Sequence, residues 1–278
     1  MNKFDNISKP LMWSTTLVLA AILAGCGGGG GSSSVQGPGP VGALCSGAGC
    51  VPLASTATYV ILANTAITNT PTSAITGDLG ISPNSSAAIT GLALTVNSTN
   101  DFSTSAQVTG RIYAPDYTGG QAGSAGTAPA KMTAAQNDKV TAYNTAAGLP
   151  AGAGANLDLG GGTVTGQTFT AGTYTWTTGV NLTGDNTING SATDVFIFQI
   201  AGTLNQSNGK KIILSGGALP ENVFWVVAGG TTIGTTAQFQ GILLDQTAIT
   251  LGTGATVKGR LQAQTAVTLN GTNTVTVP

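Results

Sequence analysis

Histidine does not occur anywhere in this chain of 278 residues. Its absence removes the commonest general base, the commonest metal ligand and the side chain that titrates near neutrality. Charge is also scarce: 7% of residues are charged, against roughly 25% in an ordinary globular domain, and the net charge is −1. Such a surface offers no basic footprint for nucleic acid. Aromatics make up 5%, too few for a recurring platform of exposed rings. With three cysteines and no histidine, a structural metal site has almost no ligands to draw on, and neither a metal nor a cofactor is expected. What remains is 41% hydrophobic residues, 42 glycines and threonine after threonine. That apolar content is enough for a core, and the low charge excludes charge-repelled disorder. Threonine and valine suit pleated strands better than helices. A repetitive β-protein that binds or supports fits better than an enzyme.

The first segment reads as an address. Lys3 and Lys9 precede an apolar run from Leu17 to Leu23, followed by Leu23-Ala24-Gly25-Cys26. This order is that of a secretory signal over 1–25, excluded from fold reasoning. Its last four residues resemble the bacterial lipoprotein signal, which implies acylation of Cys26 and, with Gly27 next, an outer-membrane or cell-surface location. Residues 26–55 then read as a tether rich in Gly, Ser and Pro. Within it Cys45 and Cys50 are candidates for a small disulfide ring in an exported protein. The chain is expected to touch membranes through the lipid anchor only.

Residues 56–278 carry a repeat. TAITL at Thr247–Leu251 returns as TAVTL at Thr265–Leu269, eighteen positions later. From Asn222 onward each unit divides into three short segments with glycine corners. One side takes Phe224–Val227, Ile242–Leu244 and Arg260–Ala263; a second takes Thr231–Ile233, Ala248–Leu251 and Ala266–Leu269; a third takes Gln238–Gly241, Thr256–Gly259 and Thr274–Thr276. Three strands per turn with this period predict a mainly β fold, a triangular parallel β-solenoid in which each coil satisfies the strand edges of the next. One stretch departs from it. Residues 128–147, APAKMTAAQNDKVTAYNTAA, predict one long α-helix packed alongside, with Met132, Ala135, Val140, Tyr143 and Ala147 on its apolar stripe and Gly148 and Pro150 ending it. Residues 92–126 lack the period and read as a cap or insertion.

Alternation within strands fixes what faces outward. On the second side Ile249, Leu251, Val267 and Leu269 point inward, so Ala248, Thr250, Ala266 and Thr268 point out. The same frame recurs upstream at Gly160–Val164, Thr178–Leu182, Ile200–Leu204 and Gly229–Ile233, and its first four positions recur at Thr65–Thr68. The candidate surface residues are therefore Thr65, Ala66, Thr68, Thr178, Gly179, Asn181, Ala201, Thr203, Gly230, Thr232, Thr247, Ala248, Thr250, Thr265, Ala266 and Thr268. Stacked, they form one column of Ala or Gly beside one of Thr or Asn: flat, rigid and uncharged. An ordinary ligand site is concave with a few convergent polar groups. This surface suits a partner that is itself flat, periodic and uncharged, and an ice crystal surface is such a partner. Hydroxyls would anchor ordered waters while methyls cage them.

Specific strings now carry a resemblance. YVILANTAITNTPTSAITGDLGISP at Tyr59–Pro83, VFIFQIAGTL at Val195–Leu204, NVFWVV at Asn222–Val227 and GRLQAQTAVTL at Gly259–Leu269 resemble the bacterial and fungal ice-binding (antifreeze) proteins of the DUF3494 type over about Thr56–Pro278. The resemblance implies a discontinuous right-handed triangular β-solenoid with one long helix alongside. In it the first coil stacks on the last, placing Thr65–Thr68 beside Thr265–Thr268. It also implies a flat face that binds ice through a Thr-Ala/Gly-x-Thr/Asn motif, which Thr65–Thr68, Thr178–Asn181, Thr247–Thr250 and Thr265–Thr268 match in full.

Two other readings compete. A cell-surface adhesin or polysaccharide-binding solenoid would want exposed aromatic platforms, whereas Tyr174, Trp176 and Trp225 read as core or corner residues. An enzyme of the pectate-lyase kind would want clustered carboxylates, yet Asp78, Asp158, Asp185, Asp194 and Asp245 fall at different coil positions and read as turn caps. The expectation is a monomeric, non-enzymatic protein that adsorbs to ice and inhibits its growth and recrystallisation.

Overall fold

The computed structural model describes residues 51–119 and 127–278. Cys26, Cys45, Cys50, the signal and most of the tether lie outside the described residues. The described chain winds into parallel strands arranged on three sides. On the first side Gly172–Trp176, Phe196–Ile200 and Val223–Val227 stack in register, followed by the later halves of Gln238–Asp245 and Thr256–Ala263. The second side is an eight-stranded parallel sheet. The third begins with Thr168–Phe169, Asn186–Asn189 and Ile212–Ser215. It continues through the early halves of the two long strands to Thr274–Thr276 and Ala74–Thr76. Between the strands Leu204–Gln206 and Val223–Val227 the chain forms the third-side strand Ile212–Ser215.

Sequence order and spatial order differ at one seam. Tyr59–Ala63 pairs with Thr256–Ala263, and Ala66–Asn69 pairs with Ala266–Leu269. The first coil therefore stacks on the last, and Asp78–Ile81 and Val108–Tyr113 continue the stack beyond it. Part of the stretch read as an insertion thus completes a coil: Ile75 pairs with Val108 and Leu79 with Ile112 in parallel. Thr95–Val96 and Ser103–Ser105 fold back antiparallel over that end.

The interior follows from alternation. Ile249, Leu251, Val267, Leu269, Leu182 and Val180 are all buried. Behind the first side, aromatic rings stack from coil to coil because their positions are register partners: Phe198 lies 4.0 Å from Trp225 and 5.5 Å from Tyr174, centroid to centroid. Tyr174, Trp176 and Trp225 are core residues, each 5% exposed or less. Burying side chains of this kind contributes roughly 1.5–3 kcal/mol apiece.

The helix Ala128–Ala147 lies on the outer surface of the first side. Ala142, Tyr143 and Ala146 pack there against Ile197, Phe224, Val226, Ile242 and Leu244. Its buried stripe runs Met132, Ala135, Lys139, Ala142, Tyr143 and Ala146, which corrects the sequence expectation at two positions. Val140 is 42% exposed and Ala147 is exposed. Lys139 holds the inward place because its amine is bonded there twice: Nζ donates to Asn64 Oδ1 and to the Ala263 carbonyl. One residue on the helix thus ties together the two chain segments that meet at the seam.

The packed region also starts earlier than the expected Thr56. Val51 and Leu53 are buried in the same cluster as Tyr143 and Phe224. Arg260 clamps this segment through Nε and Nη2, both donating to the Ala57 carbonyl. Gln262 Nε2 donates to the Tyr59 carbonyl at 3.0 Å.

Candidate functional site

The second side is covered by neither the helix nor the N-terminal segment, both of which pack on the first side. Its eight strands, in spatial order, are Ile89–Thr90, Ala66–Asn69, Ala266–Leu269, Ile249–Leu251, Thr231–Ile233, Leu204–Gln206, Val180–Leu182 and Thr163–Val164. At about 4.8 Å per strand the sheet is about 34 Å long. No residue in these strands is charged.

Register partners define the outward column directly: Thr90, Thr68, Thr268, Thr250, Thr232, Asn205, Asn181 and Thr163. Thr90, Thr232, Asn181 and Thr163 are exposed, and Thr68, Thr268, Thr250 and Asn205 are half-buried by their neighbours along the column. Two residues earlier on each strand line stands the small-residue column: Ala66, Ala266, Ala248, Gly230 and Gly179, all half-buried. At the corner ahead of it Thr65, Thr247 and Thr178 are exposed and Thr265 is half-buried.

One rung differs from the sequence frame. Leu204 pairs with Val180 and with Thr231, and Asn205 with Asn181 and Thr232. Asn205 therefore holds the outward place assigned from sequence to Thr203. Thr203 stands in the small-residue column, and Ala201 lies at the corner beyond the face. The displacement is by two residues and has a physical cause. Leu204 was read as the last apolar position of its strand, but that position belongs to Gln206, buried to 3% exposure. Its amide nitrogen is satisfied internally: Nε2 donates to the Lys210 carbonyl at 2.9 Å and to that of Gln238 at 3.1 Å. A buried polar residue at an inward site gives no hydropathy signal, so the pattern slipped to the nearest leucine.

Thr90 was missed altogether. Its strand is two residues long and follows a turn of 3-10 helix, too short for any period to register.

The hydroxyls on this face differ in what they do. Among the described residues, Thr90, Thr68, Thr268, Thr250 and Thr232 make no side-chain hydrogen bond to protein. Their hydroxyls are left without a protein partner, one per strand along the column. The inward side of the sheet fixes them: Ile67, Val267, Ile249 and, on the far column, Leu269, Leu251 and Ile233 are fully buried. Parallel hydrogen bonding between all eight strands holds each rung against its neighbour. The arrangement is a row of hydroxyls on strands that carry no charged side chain.

The carboxylates elsewhere are occupied in turns. Asp158 accepts from the backbone N–H of Thr177, Asp185 from that of Lys211, Asp194 from that of Ser191 and Asp78 from that of Arg111. Asp245 lies inside the solenoid, where burial raises its carboxyl well above the usual range. Among the described residues no three acidic, cysteine or histidine side chains converge as metal ligands. No described helix is long and apolar enough to cross a membrane.

Comparison with known proteins gives the same face a context. Residues 61–276 match the family described as Ice-binding-like. Ice-binding protein K1-A of Typhula ishikariensis is 42% identical over 239 residues, spanning 85% of this chain and 88% of that protein. The ice-binding protein of Flavobacterium frigoris is 44% identical over 202 residues, 72% of this chain and 66% of that one. Among solved structures, the antifreeze ice-binding protein from an Arctic yeast superposes with a TM-score of 0.78 at 39% identity, covering 84% of this chain and 96% of its own. The ice-binding domain from Shewanella frigidimarina superposes with a TM-score of 0.71 at 30% identity, covering 81% and 95%.

Proposed function

The chain belongs to the ice-binding-like family, and from that premise we propose that it adsorbs to ice through the Thr/Ala/Gly face of the second side and so inhibits ice growth and recrystallisation. The observation that carries this reading is the register of Thr68, Thr268, Thr250 and Thr232. Uncommitted hydroxyls repeat at strand spacing on a sheet that cannot flex, with small residues beside them. A rigid array loses little entropy on binding, and bonds through ordered water are nearly as good enthalpically as direct ones. Catalysis has no part in the reading.

The reading extends to location. Cys26 as an acylated terminus would hold the protein at a membrane, with the tether leading to a domain whose first described residues pack on the helix side. Attachment there leaves the hydroxyl face open, which suits adhesion to ice at a cell surface as well as growth inhibition. The polysaccharide-binding alternative gains no support from the face, because its outward columns hold no aromatic residue.

The deciding experiment replaces Thr250 and Thr268 together by Tyr. Ice shaping and the gap between freezing and melting should disappear while the unfolding midpoint stays within a few degrees of the parent. Undiminished shaping by a folded double variant would reject this face. In a separate test, Cys26→Ser should move the protein from the membrane to the soluble fraction with ice binding unchanged.

A further inference from the structure

Resting on the ice reading of this face, we propose that recognition is confined to one sector of it, the five-rung threonine ladder Thr90, Thr68, Thr268, Thr250 and Thr232, and that Thr203 and Asn205 set its boundary. Three observations converge on that boundary.

The first is hydrogen bonding. The five threonines have hydroxyls free of protein partners among the described residues. On the next two rungs the polar atoms serve one another: Asn205 Nδ2 donates to Asn181 Oδ1 at 3.1 Å and to Thr203 Oγ1 at 3.4 Å. A water layer meeting these amides must compete with a bond already made. At the ladder it meets open acceptors and donors. Asparagine also lacks the methyl group that each threonine sets beside its hydroxyl, so the alternation of apolar and polar points ends at Thr232.

The second is shape. The small-residue column is Ala66, Ala266, Ala248 and Gly230 along the ladder, each half-buried. At the next rung it becomes Thr203, an exposed side chain larger than the alanines and glycine of the ladder. A flat crystal plane lying on alanines would ride up on this side chain, and the rungs beyond would lose contact.

The third is the floor beneath. Under Thr268, Thr250 and Thr232 the fifth frame position is apolar at Leu269, Leu251 and Ile233, and under Thr68 it is Asn69, buried at the ladder's far end. Under Asn205 it is Gln206, bonded toward the third side. The rung at Leu204–Gln206 therefore differs from the adjoining Thr231–Ile233 rung on both faces of the sheet.

The test compares single bulky substitutions in the two sectors, Thr250→Tyr and Asn181→Tyr, with a double variant that repairs the boundary, Thr203→Ala with Asn205→Thr. Thermal hysteresis and retention on an ice surface are measured, with the unfolding midpoint as a check on folding. Thr250→Tyr should lower retention by about tenfold or more, Asn181→Tyr should change it less than about twofold, and the double variant should raise hysteresis by lengthening the ladder. Equal losses in the two sectors, or a double variant no better than the parent, would overturn the boundary and leave the ice reading standing. Should neither tyrosine diminish binding, the ice reading of the face falls with it.

Discussion

Thr68 lies beside Thr268 in parallel register, although two hundred residues separate them in the chain. This pair joins the first coil to the last and makes the hydroxyl column continuous across the seam. Whatever holds the seam therefore holds the site, and Lys139 is the residue that reaches both sides of it.

Burial pulls the Lys139 ammonium down to about 7 from its ordinary value. Neutral or charged, it has the two donors that Asn64 Oδ1 and the Ala263 carbonyl require. Between pH 7 and the ordinary lysine range the unfolded chain holds a proton that the folded chain has released, so stability rises with pH across that window. Each pKa unit is worth about 1.4 kcal/mol, so the gain reaches a few kcal/mol at most. Buried Tyr59, Tyr113 and Tyr143, raised mainly by desolvation, oppose it above about pH 10. Denaturant midpoints should climb from pH 7 to 9.5, and Lys139→Met should flatten that climb; parallel profiles for the two proteins would refute the role.

Thr231 donates to Asp245 Oδ1 at 3.0 Å inside the solenoid, and Asp245 Oδ2 has no partner. The register neighbours of Asp245 are Val227 and Ala263, and those of Thr231 are Leu204 and Ile249. An apolar pair therefore fits both columns. Thr231→Val alone should destabilise by about 1–3 kcal/mol, since it leaves a buried carboxyl without its donor. Thr231→Val with Asp245→Val should be neutral or stabilising. Chemical denaturation of the two variants distinguishes pairing from simple packing.

The strands Gln238–Asp245 and Thr256–Ala263 bend from the third side into the first at Gly241 and Gly259, which are register partners. A Cβ on Gly259 would lie 1.7 Å from the Gly241 carbonyl oxygen. Backbone stands on both sides of that clash, so no side-chain adjustment relieves it. Gly259→Ala should cost about 4 kcal/mol or prevent folding, at the upper end for single substitutions. A loss below about 1 kcal/mol in the unfolding free energy would mean the corner opens easily.

The third side also carries outward threonines, among them the register partners Thr276 and Thr76, but Lys258 is the next partner of Thr276 and breaks the column. Its charge prefers liquid water. Thr76→Tyr should leave ice shaping unchanged, and a loss comparable to that of the second-side variants would assign the third side a share in binding.

The three-sided repeat was legible from Asn222 onward because each coil there keeps one spacing and glycine marks its corners. The outward column was legible for the same reason at Thr232, Thr250 and Thr268. Legibility failed at two places where a long polar side chain took an inward position. Gln206 shifted the frame of its rung, and Lys139 yielded its place on the helix stripe to Val140, because hydropathy patterns read polarity as exposure. Thr90 escaped notice on a strand too short to show a period. The seam between Thr68 and Thr268 came from family likeness, since no local pattern reports which distant segments become neighbours.

The seam has a consequence for how the molecule comes into being. On one edge, strands near the start of the chain find their partners only among strands near its end, so the Thr68–Thr268 step of the ladder cannot assemble on a partly synthesised chain. Contacts of such high sequence separation make for slow folding. During that interval the edges of Tyr59–Ala63 and Ala66–Asn69 wait unpaired, open to strands of other copies. A cell making this protein in the cold would gain from whatever shields those edges until the last coil arrives.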